Sequence, residues 1–421
     1  MSLRVLVVSQ YFWPENFRIN ELTAELVRRG SSVTVLTGKP NYPDGSVFAE
    51  FRARPQEFAR FHGAEVLRVP MWPRGRNGFS LMLNYLTFAL SASLLGAWRL
   101  RRREFDVVFV FEPSPVTVGL PAVLLRRLKR APLLFWVLDQ WPETLTAVGA
   151  LKSKFMLRLV GRLVSFIYDR CDVLLAQSKS MVHLVRRYTH PAERVVYFPN
   201  WSEPATDGES ATTAPELPPK MGHFDVMFAG NIGESQEFGA ILDAAHALRD
   251  HAHIRWLIVG DGRMAPWVRE EIRRRGLESR FVMMGRHPPE RMPSFFRHAD
   301  ALLVSLRADP VFALTVPGKL QSYLAAGIPI IGMLNGEGRQ IIEDSRAGFS
   351  CDAGDSAGLA SAVLRLAGLD ASERAAMSAR GRAFALKEFD RDSLISNLEA
   401  LMQSLALSNQ NSGRALPKWG K

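Results

Sequence analysis

Along the chain, short apolar runs alternate with stretches in which apolar residues recur at helical spacing. The first half offers RVLVVSQ (4–10), SVTVLTG (32–38), AEVLRVP (64–70), DVVFVFEP (106–113), PLLFWVLD (132–139) and DVLLAQS (172–178). After a strand-like RVVYFPN (194–200), the pattern restarts with FDVMFAGN (224–231), IRWLIVGDG (254–262), RFVMMGR (280–286), ADALLVSL (299–306), IPIIGM (328–333) and GFSCDAG (348–354). Continuous apolar strands separated by helical segments are the mark of parallel sheets covered on both faces. The spacing predicts an α/β protein with two Rossmann-like, doubly wound parallel sheets facing an interdomain cleft. Residues 1–200 form the first predicted domain and 222–385 the second. The Pro-, Ser- and Thr-rich segment 201–221 reads as a linker, 386–407 as a C-terminal helix and 408–421 as a flexible tail.

Two segments break this rhythm. FSLMLNYLTFALSASLLGAW (79–98) matches the ~20 residues that span a bilayer and is followed by Arg99, Arg101, Arg102 and Arg103. A buried helix pair, interfacial docking and true spanning are all open, with Asn84, Thr87 and three serines diluting the run. LKSKFMLRLVGRLVSFIYDR (151–170) sets Lys152, Lys154, Arg158 and Arg162 among apolar residues at helical spacing. It reads either as a basic helix lying on anionic lipid or as an ordinary solvated face.

Charge sharpens that choice. Residues 1–200 hold 28 Lys and Arg against 15 Asp and Glu, a net +13, while 201–421 hold 25 against 27, a net −2. The first half therefore expects an anionic partner. No nucleic-acid module is visible, so lipid or a lipid phosphate is favoured. The two cysteines, Cys171 and Cys351, are too far apart in sequence to suggest a disulfide scaffold or zinc site and suit a reducing cytoplasm. The N-terminal run has no signal-peptide form, and a cytoplasmic protein held peripherally at the inner face of the membrane is expected.

Ligands of doubly wound sheets bind at the carboxyl ends of the strands. In the second half those loops are GNIGES (230–235), GDGRM (260–264), GRHPPE (285–290) and VPGKLQSYLAAGIP (316–329). Their glycines let backbone approach a phosphate, and the helices behind them turn positive ends toward it. Taken with FAGNIGESQEFGAILDAAHAL, VMMGRHPPERMPSFFRHADALLVSL and GRQIIEDSRAGFSCDAGD, these motifs resemble the donor domain of the large, mostly retaining GT-B glycosyltransferase group that includes glycogen synthases. YFWPENFRINELTAELVRRGSSVTVLTGKPNYPDG and FWVLDQWPET look like the subfamily of putative L-fucosamine transferases from O-antigen and capsule clusters. The resemblance spans residues 3–405.

The resemblance implies a nucleotide-sugar donor in the second domain, its base near Gly285 and His287 and its diphosphate at Gly230, Asn231 and Gly233. Where relatives supply an Arg and a Lys from the first loop, this chain has Asn231 and Gln236. Lys319 becomes the main diphosphate candidate and Arg263 the second, because a diphosphate needs compensating charge. The family's pair of glutamates falls on Leu314 and Ser322; Ser322 keeps only a hydroxyl for donor binding. In the first half, Asp139 ends an apolar strand where a carboxylate can orient or deprotonate an acceptor hydroxyl. It could equally cap a helix. Glu143, one helical turn beyond, Glu15, after the first strand, and Glu112, at a strand end, are weaker candidates, with loop capping the alternative for Glu15. Asp225, Asp261 and Asp300 are isolated and no DxD-type motif follows a strand, so neither a metal nor another cofactor is expected. The implied reaction is hexosyl transfer from a UDP-sugar, such as UDP-N-acetyl-L-fucosamine, to a polyprenyl-diphosphate-linked sugar or oligosaccharide. Open alternatives are a catalytically inactive nucleotide-sugar-binding partner and a nucleotide-sugar 2-epimerase. A dinucleotide oxidoreductase is disfavoured, since QYFWPEN, not GxGxxG, follows the first strand.

Overall fold

A computed structural model of the chain describes residues 2–43, 45–75, 77–147, 149–202 and 214–411. The chain divides into two compact units, Met1–Phe198 together with residues from Ser393 onward, and Pro199–Asp392. Most of the proposed linker, residues 203–213, and of the proposed tail, 412–421, lie outside the described residues.

Among its described residues the first unit has eight strands: β1 (Arg4–Val8), β2 (Ser32–Gly38), β3 (Arg60–Phe61), β4 (Ala64–Val69), β5 (Val107–Glu112), β6 (Leu133–Val137), β7 (Val173–Ala176) and β8 (Val195–Tyr197). They lie in the order β3-β4-β2-β1-β5-β6-β7-β8, parallel except for the short β3. The central strands are buried along nearly their whole length because helices cover both faces. The second unit has β9 (Phe224–Ala229), β10 (Ile254–Val259), β11 (Phe281–Gly285), β12 (Ala301–Ser305), β13 (Ile330–Met333) and β14 (Gly348–Cys351), in the order β11-β10-β9-β12-β13-β14. All its pairings are parallel. This is the GT-B type of architecture, two parallel α/β units, as the alternating pattern implies. In each sheet the strand order reverses once, between β1 and β5 and between β9 and β12. Those two switch points, at the carboxyl ends of the strands, are where an open sheet leaves a crevice.

Two elements depart from the sequence reading. Residues 79–98 are not a buried helix pair. They belong to one helix, Gly78–Ser91, that continues through a π-helical turn at Ala92–Gly96 to Leu100. Asn84, Phe88, Ala92 and Leu100 face the core, while Phe79, Met82, Leu86, Leu90, Leu94 and Trp98 are exposed. Gly96 explains the seat: a Cβ there would lie 2.8 Å from the Leu36 side chain. Among the described residues this is the one helix long and apolar enough to cross a bilayer. The end of the chain also differs. A helix Ala371–Glu388, opened by a capping box of Asp370 and Glu373, stops at Phe389, and a new helix runs from Arg391 to Asn411. Residues 386–388 thus belong to the earlier helix, and 408–411 are helical.

Candidate functional site

At the carboxyl ends of β9, β10 and β11, the second unit encloses a cavity of about 870 Å3. Its floor is made where three glycine-bearing loops meet. Gly230 donates to Val259 O (2.9 Å), Gly260 donates to Gly285 O (2.7 Å), and Ile232 donates to Asp261 O (2.9 Å). Gly260 sits at φ +145°, and a Cβ on it would lie 1.9 Å from Gly230 O, so no other residue fits. Opposite stands the helix Gly318–Ala326, tied to the end of β9 by Tyr323, whose hydroxyl donates to Ala229 O (3.1 Å) and accepts from Ala229 N (3.0 Å).

Lys319, in the first turn of that helix, reaches into the cavity. Its Nζ donates to Gln236 Oε1 at 2.6 Å and lies 3.8 Å from the Phe228 ring centroid. A Cβ at Gly230 would come within 3.3 Å of it. Among the described residues no carboxylate is in contact with it, and burial pulls its pKa down to about 7. Gly230, Asn231, His287 and Ser322 also line the cavity. His287 is fixed from behind: Nε2 lies 3.1 Å from Met284 O, and its ring packs on Phe295 at 4.6 Å. Gly285 holds the floor through its bond from Gly260 N, and neither it nor Gly233 lines the cavity. Arg263, the second cation candidate, is exposed and outside the lining. Arg286, Arg297 and Arg382 line the cavity instead. Leu314, one slot of the expected glutamate pair, does not reach it.

In the first unit, the acidic candidates spend their oxygens in different ways. Glu15 is buried; its Oε1 accepts from the backbone of Asn41 (2.8 Å) and Tyr42 (2.7 Å), and Oε2 from Phe12 N (3.1 Å). Burial raises its pKa, against the pull of those three donors. This ties two loops together, as the capping alternative implies, and the one lone-pair site left on Oε2 belongs to a residue only 3% exposed. Asp139 Oδ1 accepts from Gln140 N (2.8 Å) and Thr144 Oγ1 (2.6 Å), and Oδ2 from Trp141 Nε1 (3.0 Å). A carboxylate has about four lone-pair sites, so Oδ2 keeps room for one more donor. Glu143 Oε1 accepts from Tyr188 Oη (2.8 Å) and Arg187 (3.3 Å). Glu112 is fully buried, with Oε2 3.3 Å from Asp139 N, and burial followed by the nearby Asp139 charge raises its pKa strongly. Cys171 and Cys351 are free and buried.

Two family models match the chain, a glycosyl transferase 4-like domain over residues 16–201 and a glycosyl transferases group 1 domain over 223–368. The chain is 30% identical to a probable glycosyltransferase, WbjE, of Pseudomonas aeruginosa, over 65% of its own length and 68% of the relative's. The chain belongs to the GT-B glycosyltransferases. A putative colanic acid biosynthesis glycosyl transferase, WcaI, of Escherichia coli K12 is 27% identical over 77% of this chain and 82% of that one. The fold is shared with HepE of Anabaena, solved in complex with UDP, at a TM-score of 0.70 and 16% identity over 96% of this chain and all of that one.

As a GT-B glycosyltransferase, the chain shows which site residues escaped sequence reasoning. Arg286 stands next to His287 in a loop already singled out. Arg297 and Arg382 come from segments that carry no phosphate-loop signal, and arrive only through the packing of helices on the sheet. Arg382, for instance, donates to Gly327 O at 3.3 Å from the helix Ala371–Glu388. Among the described residues, no three His, Cys, Asp or Glu side chains converge as metal ligands.

Proposed function

We propose that this glycosyltransferase takes its sugar from a nucleoside diphosphate sugar bound in the C-terminal cavity. The observation that carries the reading is the partly buried Lys319 ammonium, without a carboxylate partner among the described residues, beside the glycine floor of Gly230 and Gly260. A partly desolvated cation lacking an anion is costly unless a ligand supplies one. Lys319, with Arg286, Arg297 and Arg382 around the cavity, would meet the diphosphate and stabilise the charge that develops on it as the glycosidic bond breaks. These cations stand where a metal would otherwise be needed, so metal independence is part of the proposal. Ser322 and the His287 loop would contact the ribose and base. UDP is the proposed nucleotide, supported by the fold shared with a UDP complex.

On the acceptor side, Asp139 is the proposed orienting carboxylate. The acceptor is proposed to be a lipid-linked sugar in bacterial surface polysaccharide assembly, as the names of the relatives suggest. The donor sugar is proposed to be an N-acetylated deoxyhexosamine such as N-acetyl-L-fucosamine, supported by the motif resemblance of the first half. The exposed apolar face of Gly78–Leu100 and the helix Lys154–Tyr168, with exposed Phe155, Met156, Leu159 and Phe166 beside its cations, support a cytoplasmic enzyme docked on an anionic membrane surface.

The donor reading is tested by thermal unfolding with UDP and GDP, because ligand bound to the native state raises the melting temperature. UDP should raise Tm in the wild type and lose most of that effect in Lys319→Ala. Absence of a shift with either nucleotide would remove the donor reading.

A further inference from the structure

The proposed donor cavity lies at the carboxyl ends of β9, β10 and β11 in the C-terminal sheet. The switch point of the N-terminal sheet, between the carboxyl ends of β1 and β5, has an unassigned cation. Arg74 is half-buried there. Its guanidinium donates to Tyr11 Oη at 3.0 Å, also bonds Tyr85, and lies 5.3 Å from the Tyr42 ring centroid. Its backbone N–H is fixed by Asn41 Oδ1 at 2.8 Å. Several partly buried arginines of this unit pair with carboxylates, Arg29 with Glu25, Arg103 with Glu65 and Arg126 with Asp172, and Arg68 and Arg194 donate to backbone carbonyls. Arg74 has no carboxylate partner among the described residues. Its neighbours are phenols that burial keeps neutral. They orient the guanidinium but do not balance its charge, and its five N–H donors are not all spent. A rigid fork in a partly dry site is suited to the two oxygens of a phosphate.

Two further observations say whose phosphate. Tyr85 belongs to the helix Gly78–Leu100, whose exposed apolar face offers a path for a hydrocarbon chain. The Tyr85 ring also lies 6.2 Å from that of Trp141, which donates to Asp139. A cation, an apolar helix and the proposed acceptor carboxylate thus share one end of one sheet.

We propose that Arg74, braced by Tyr11 and Tyr85, binds the diphosphate of a lipid-linked acceptor at the switch point of the N-terminal sheet. This rests on the acceptor half of the proposed function and is independent of the donor cavity. The test is calorimetric titration of the full chain with farnesyl diphosphate, inorganic pyrophosphate and UDP, in wild type, Arg74→Gln and Arg74→Lys. The expected result is tighter binding of farnesyl diphosphate than of pyrophosphate. Arg74→Gln should weaken farnesyl diphosphate at least tenfold, Arg74→Lys should fall between, and UDP affinity should hold within twofold. Unchanged farnesyl diphosphate binding in both variants, or none in the wild type, would overturn the proposal. Equal affinity for pyrophosphate would overturn the lipid assignment, and loss of UDP instead would give Arg74 to the donor. If Arg74→Gln does not fold, Arg74→Lys decides, since it keeps the charge and loses the fork. Failure of the donor reading shows separately, as absent UDP binding.

Discussion

Lys319 shows what a single partly buried charge commits a protein to. Its pKa near 7 means that above neutral pH the folded protein holds one proton fewer than the unfolded chain, whose lysine titrates near 10.5. The cost of burying this ammonium is therefore full below about pH 7 and fades as pH rises toward the ordinary lysine range. A bound diphosphate reverses the preference, because it favours the charged form. Binding of UDP should then take up a proton above pH 7, and its Kd should rise with pH by up to about tenfold per unit between pH 7 and 9. Lys319→Ala should bind weakly and show a flatter profile over the same window, read by titration calorimetry in buffers of different ionisation enthalpy. The place of Lys319 at a helix start was legible in the motif VPGKLQSYLAAG. The role of Glu15 was not. Sequence placed it after β1, but only folding shows both oxygens aimed at the backbone of Phe12, Asn41 and Tyr42. Arg74 lies further from reach, since nothing in MWPRGRNG signals that three tyrosines will gather round it.

At the scale of elements, the strands were readable almost residue by residue. Runs such as VLVV and LLFWV are apolar throughout, a pattern a twice-covered strand demands and a surface helix does not tolerate. β3 escaped because two residues carry no periodicity. Three readings of the segment 79–98 stayed open because length and hydropathy do not say which face meets the core; that is decided by close seats such as Gly96 against Leu36. The glycine floor makes a sharper prediction. Gly260→Ala forces a Cβ onto Gly230 O in a conformation L residues rarely adopt. It should abolish UDP stabilisation and lower Tm by several degrees, consistent with a cost of about 1–3 kcal/mol of backbone strain. Retained UDP binding in this variant would mean that the loops tolerate separation and do not form the diphosphate floor.

For the whole molecule, the +13 of the first 200 residues against −2 for the rest is the property that composition conveyed most directly. If the first unit meets a membrane, binding combines attraction to anionic headgroups with burial of Leu86, Leu90, Leu94 and Trp98. The protein should co-sediment with phosphatidylglycerol vesicles far better than with phosphatidylcholine, and less well as salt is raised. Replacing Leu86, Leu90 and Leu94 by serine should cut recovery several-fold while leaving the UDP-induced Tm shift intact. Equal recovery of variant and wild type would remove this helix from the contact.

The last helix carries a consequence of its own. Ile395, Leu398, Met402 and Leu405 are buried on Arg391–Asn411, Arg29 donates to Ser396 (2.7 Å), and Asn409 donates to Arg130 O (2.7 Å), all within the first unit. Although the ribosome releases that unit first, its final piece is encoded after the whole of the other. For the time needed to translate nearly two hundred intervening codons, the nascent chain must carry an unfilled hydrophobic seat beside Arg29. That interval is when a chaperone would find this protein, and a nonsense mutation late in the gene would damage the part made earliest.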